Sequence, residues 1–147
     1  MTRLIRRRGL LQAGCALGLA LAAPALRAHE FFTGNLTVIH PWTRASSAGA
    51  TSAIVSMTFE DVVRSDRLVG VQTPVAARAE LGGLGAGAPL DFAIPEGRTS
   101  TLTETGVHLR LLDLQFPLLQ GREYPMTLVF AEAGPIRAAL LVDYAAA

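Results

Sequence analysis

Val107-His108-Leu109-Arg110-Leu111-Leu112 reads as a β-strand, and its side chains decide how the rest of the chain is read. Residues at i and i+2 of a strand point to the same face, so His108 and Arg110 stand side by side. His108 is the only histidine in the last two-thirds of the sequence. Arg110 is a permanent cation with donors and no acceptor, so it cannot share a metal ion with that imidazole.

Outward from this strand the same texture repeats. Short runs rich in Val, Ile, Leu, Thr and Phe lie at Asn35–His40, Ser52–Phe59, Arg67–Gln72, Ala76–Leu81, Arg98–Leu102, Val107–Leu114, Met126–Ala131 and Ile136–Asp143. Gly, Pro, Asp and Ser punctuate them, while helical periodicity is almost absent. Thr37-Val38-Ile39 and Thr127-Leu128-Val129-Phe130 fit half-buried strands, whereas the polar Arg98–Thr103 fits an edge or surface strand. About eight strands at this spacing predict an all-β fold, an antiparallel Greek-key β-sandwich. Gly82–Pro89 and Ala45–Ala50 are small-residue loops. The first has no helix pattern or Lys behind it, which a phosphate-cradling loop would require.

The first 28 residues read as a signal peptide. Arg3, Arg6, Arg7 and Arg8 precede an apolar run from Leu10 to Ala25, and small residues place cleavage after Ala25 or Ala28. Arg7-Arg8-Gly9-Leu10-Leu11 resembles a twin-arginine export signal. The run is too short and too rich in Ala and Gly for a membrane span, which takes roughly 20 strongly apolar residues. Cys15 precedes most of the apolar run rather than following it, which argues against lipidation. Residues 29–147 then form one domain, localised to the periplasm.

Removing the leader inverts the charge. Five of the 13 basic residues lie in it and all 12 acids lie beyond it, so residues 29–147 carry a net charge of −4 rather than the whole chain's +1. With no Lys and no basic cluster, nucleic acid and anionic membranes are poor partners. The sole Cys leaves with the leader, which excludes disulfides and thiolate metal sites.

A set of landmarks follows in order: Gly34-Asn35-Leu36-Thr37-Val38, His40-Pro41-Trp42-Thr43-Arg44, Asp66–Val71, Pro74–Leu81, Ile94-Pro95-Glu96-Gly97, Gly106-Val107-His108, Pro117–Gly121 and Leu128–Gly134. From about His29 to Val142 the chain thereby resembles the periplasmic copper chaperone family PCu(A)C, which serves the CuA centre of cytochrome oxidase. The resemblance implies a cupredoxin-like sandwich and a Cu(I) site of two His and two Met. It places the first His where Gly82 stands and the first Met in a segment shortened here to the Gly-rich loop. The second His is His108, and the second Met is replaced by Arg110. One ligand of four is retained.

Other residues are candidates for a replacement. Met57 and Met126 lie in apolar runs and fit the core. His40, before Pro41-Trp42, fits a structural role or a metal ligand, and Trp42 fits a core or rim aromatic. Cleavage after Ala28 would make His29 the mature N-terminus, whose α-amine and ring nitrogen can chelate copper together with a second His, Glu30 adding an oxygen. Glu80, Asp61 and Asp66 read as solvated acids. Arg44, Arg67 and Arg110 read as partners in ion pairs or backbone contacts. Nothing matches a nucleophile–His–acid constellation, so the chain does not read as an enzyme.

Two functions follow. One is an exported protein of the copper-chaperone family that binds copper weakly or not at all, with His108, His29 and His40 as candidate ligands and a periplasmic or membrane-anchored cuproprotein as client. The other is a metal-free interaction module of periplasmic assembly, for which the apolar loop Leu81-Gly82-Gly83-Leu84 would offer a contact surface.

Overall fold

Ten strands form within residues 29–147, the part of the chain that the computed structural model describes. They are β1 (Glu30–Phe32), β2 (Thr37–Arg44), β3 (Ser52–Glu60), β4 (Asp66–Gln72), β5 (Ala76–Gly82), β6 (Phe92–Ile94), β7 (Ser100–Leu102), β8 (His108–Leu114), β9 (Glu123–Phe130) and β10 (Gly134–Tyr144). All eight expected strands are present. The two additional ones, β1 and β6, are three residues each, too short to show alternation. No helix of these residues is long and apolar enough to cross a membrane. The leader, its cleavage sites, the twin-arginine pair and Cys15 lie outside the described residues.

The strands join in the order β5-β8-β3-β2-β10-β9-β4-β6, with β1 beside β2 and β7 beside β3. β4 and β5 follow one another in the chain, meeting at the Thr73–Ala76 bridge, yet stand near opposite ends of that order. The sheet therefore turns back on itself and its two halves enclose one core. Leu81, Leu109, Leu111 and Val55 from one half meet Leu68, Ile94, Leu128 and Phe130 from the other. Phe59 bridges the layers, edge-on to Phe130 at 6.1 Å and tilted against Phe92 at 5.8 Å. Burying side chains of this size contributes about 1.5–3 kcal/mol each, which lets the sandwich hold without a disulfide.

One pairing departs from the expected antiparallel pattern: β10 runs parallel to β2, Leu141 against Trp42 and Val142 against Thr43. The β9–β10 hairpin sets the direction of β10, and β10 then occupies the part of the β2 edge that β1 leaves open. β7 pairs with β3, as an edge strand should, but its Leu102 is fully buried beneath the polar residues that precede it.

Alternation along β8 sets the candidate site. Leu109 and Leu111 are fully buried in the core, so His108, Arg110 and Leu112 take the outer face. Met57 and Met126 are core residues, each 2% exposed.

Candidate functional site

β5 and β8 pair so that Gly82 faces His108, Glu80 faces Arg110 and Arg78 faces Leu112 across the outer surface. His108 is 8% exposed, and its Nδ1 lies 2.9 Å from the Gly106 carbonyl. A carbonyl only accepts, so Nδ1 carries the hydrogen and Nε2 carries the lone pair. The ring lies across Gly82: a Cβ there would stand 2.7 Å from His108 Cδ2. Only a residue without a side chain lets the imidazole lie flat on the strand.

The next rung holds charge. Arg110 Nε donates to Glu80 Oε1 at 2.8 Å, and the Nη2 of the same guanidinium reaches that oxygen as well. Glu80 in turn needs Gly87, where a Cβ would stand 2.6 Å from the carboxyl carbon. The loop between is closed by reciprocal backbone bonds between Leu81 and Ala88, 2.9 and 3.0 Å, which bring Gly87 back over Glu80. One rung further, Arg78 donates to Asp113 at 2.8 Å, and this hydrogen bond raises the Arg78 guanidinium above its ordinary range.

The positions that the resemblance assigns to metal ligands thus hold one imidazole, one bare glycine and one ion-paired guanidinium. That donor set does not fit a Cu(I) ion, which takes soft thioether and imidazole ligands together. A cation beside Arg110 would also meet repulsion on the order of 1 kcal/mol or more at ~4 Å. Among the described residues, no three His, Cys, Asp or Glu side chains come together as a metal-binding group.

The other two histidines meet each other. The rings of His29 and His40 are 5.7 Å apart between centroids and inclined at 69°. His40 N–H donates to the His29 carbonyl at 2.8 Å. His40 Nε2 is 2.6 Å from Asp143 Oδ2, and His29 Nδ1 is 3.4 Å from Glu123 Oε1. Sequence reasoning did not find Asp143 or Glu123, because neither has a spacing to the histidines that marks it. Only the β2–β10–β9 pairing brings them in.

Trp42 lies at the rim, edge-on to Tyr144 at 4.9 Å, with the Arg44 guanidinium 5.3 Å from the Tyr144 ring. Arg44 also donates to Glu104 at 2.6 Å, which raises its pKa against a smaller opposing desolvation and ties the β7–β8 loop to β2. A cleft of about 320 Å³ opens there, lined by His40, Trp42, Ser56, Thr101 and Thr103.

Of the acids read as solvated, Asp66 is not. It is 4% exposed and accepts hydrogen bonds from the backbone N–H groups of Arg67, Glu132 and Ala133 and from the Asn35 amide. Burial pushes its pKa up, but the donors together outweigh burial and hold it below the ordinary carboxylate range. Asp61 accepts from Thr37 Oγ1 at 3.3 Å, and Arg67 pairs with Asp91.

Comparison with known proteins agrees with this fold. The LpqE-like lipoprotein family model matches residues 36–142. Among solved structures, the chain is similar to the copper-bound PCuAC domain from PmoF2, at 29% identity over 79% of this chain and 98% of that domain, with a TM-score of 0.72. It is similar to the apo PCuAC domain from PmoF1 at 31% identity over 79% of this chain and 99% of that domain, TM-score 0.71. It is also similar to Cu(I)-DR1885 from Deinococcus radiodurans at 25% identity, over 83% and 85% of the two chains, TM-score 0.61. No curated protein sequence gives a significant match. With most of its length matched by the family model and by a PCuAC domain at 31% identity, this chain belongs to the PCuAC family of copper-binding domains.

Proposed function

We propose that this protein is an exported, periplasmic member of the copper-chaperone family that keeps the chaperone fold but binds Cu(I) weakly or not at all at the family position. Residues 1–28 act as its removable leader and residues 29–147 as the working domain. Its role is binding rather than catalysis, with a cuproprotein under assembly, such as an oxidase subunit, as the client. The observation that carries this reading is the His108 ring seated on Gly82 beside the Arg110–Glu80 pair. A guanidinium locked to a carboxylate stands where a thioether would complete a two-point grip.

Titration with Cu(I) against a chelator of known affinity tests it. The expected result is no binding tighter than micromolar in the wild type and no change in His108→Ala. Tight stoichiometric Cu(I) binding that His108→Ala abolishes would overturn it.

A second reading, a metal-free interaction module, is favoured by exposed apolar side chains around the loops. Leu84 is 54% exposed on the Gly-rich loop, whereas Leu81 is buried and unavailable for contact. Client capture that is indifferent to chelators and lost in Leu84→Asp would select this reading.

A further inference from the structure

The pairing of β4 with β9 ends at Gln72 and Thr127, while β9 itself extends back to Glu123. A cavity of about 600 Å³ opens where β4 has left, bordered by Thr73, Pro74 and Pro125. A further strand has little to pair with at this point. Pro125 has no N–H, and Thr73 Oγ1 already donates to its carbonyl at 2.8 Å. What the cavity presents is side chains. Met126 and Leu128 are buried in the core, so alternation puts Pro125 and Thr127 on the outer face. Thr127 stands between Gln72 of β4 and Arg137 of β10, and directly opposed residues share a face. Gln72, Thr127 and Arg137 thus make one row across three strands, and all three line the cavity.

None of these three side chains has a hydrogen-bond or ion-pair partner among the described residues. Arg44, Arg67, Arg78 and Arg110 are each held by an acid, whereas Arg137 is not, and no acid lines its cavity. The cavity is therefore complementary to negative charge. A guanidinium presents two parallel N–H groups that match the oxygens of a carboxylate, and Thr127 adds a hydroxyl beside them. The Gln72 amide both donates and accepts, as a peptide group does. Neighbouring strands lie about 4.8 Å apart, so the row spans roughly 10 Å. A small free anion covers one end of such a row. An extended segment that carries a carboxylate covers all of it, with Pro74 and Pro125 as apolar walls.

We propose that this cavity binds an extended acidic segment of a partner protein, with a Glu or Asp carboxylate on Arg137 and Thr127 and the adjoining backbone on Gln72. Its volume lies within the range of about 300–1,000 Å³ usual for binding pockets. The site belongs to β4, β9 and β10, away from the β5–β8 pair, so it stands whether or not His108 takes copper. One guanidinium in an open cavity makes a weak, salt-sensitive attachment, and selectivity comes from the row as a whole.

Nuclear magnetic resonance titration of the nitrogen-labelled full chain with a capped hexapeptide of Ala and Pro carrying one central Glu tests the site. Shifts are expected at the amides of Gln72, Thr73, Thr127 and Arg137, and they should fade as salt is raised. The same peptide with Gln in place of Glu should bind about fivefold more weakly, and so should the Glu peptide to Arg137→Gln. Arg122→Gln removes an equal charge outside the cavity and should bind as the wild type does. His108→Ala should also change nothing, which separates this site from the reading of the His108 position. Equal binding of the Glu and Gln peptides, or equal binding by the wild type and correctly folded Arg137→Gln, would overturn the proposal, as would no shift at those amides. Acetate or inorganic phosphate bound as tightly as the peptide would make it a free-anion site instead. The same shifts on raising the protein concentration alone would assign the cavity to a second copy of the chain, and either result would overturn the proposal as well.

Discussion

The imidazole of His108 rests on the bare backbone of Gly82, its cross-strand partner, with its Nδ1 donating to the Gly106 carbonyl. The pair is a matched fit: the ring fills space that any side chain at 82 would need. It sets a covered conformation, 8% exposed and flat against the outer face of the β5–β8 pair, for a histidine that the sequence presents as a free ligand.

Gly82→Ala should therefore destabilise the protein by about 1–3 kcal/mol, the ordinary cost of overpacking. In a His108→Ala background the same change should be nearly neutral, because the obstructing ring is gone. Urea midpoints of the four members of this double-mutant cycle measure the coupling. An equal cost in both backgrounds would show that the ring is not what Gly82 accommodates.

Arg110→Met places a thioether two residues from His108 on the same face. Cu(I) affinity in a chelator competition should rise at least tenfold over the wild type. The stability cost should stay at about 1 kcal/mol or below, because the Arg110–Glu80 pair is partly exposed, at 36% and 23%, and screened by solvent. Unchanged affinity would mean that the ring, and not the guanidinium, is the obstacle.

Asp66 ties the start of β4 to the β9–β10 turn. Its folded pKa lies below its unfolded value, so the stability it contributes is present at neutral pH. That stability falls once the pH drops to the unfolded value, about 3.9, and is gone below the folded pKa. Asp66→Asn should cost about 2–3 kcal/mol at pH 7, and the difference from wild type should shrink toward pH 3. Denaturation midpoints at both pH values check the sign.

Ser56 Oγ is buried without a hydrogen-bond partner among the described residues. Ser56→Ala removes an unsatisfied polar atom and should be neutral or stabilising by up to about 1 kcal/mol, read as a rise in melting temperature. A clear loss of stability would reveal a partner for that hydroxyl, such as a held water molecule.

The strands were legible because alternation and turn residues are local signals: Val107–Leu114 needed only its own side chains to announce β8. β6, three residues between Pro89 and Pro95, was not, since no period fits in so short a run. The buried role of Asp66 was equally hidden. A strand-opening acid looks solvated until the backbone of residues 132 and 133 closes over it.

The sequence by itself determined the all-β fold, the buried methionines and the ion-paired arginines, all of which follow from residue type and short-range pattern. Only the tertiary structure decided what surrounds His108 and Arg110 and which groups meet far along the chain. The register of β5 on β8 laid His108 on Gly82, 26 residues away. The parallel closure of β10 on β2, with a bulge in each, brought Asp143 to His40 and left His29 beside it. Such contacts depend on strand direction and register, and no local run of residues encodes either.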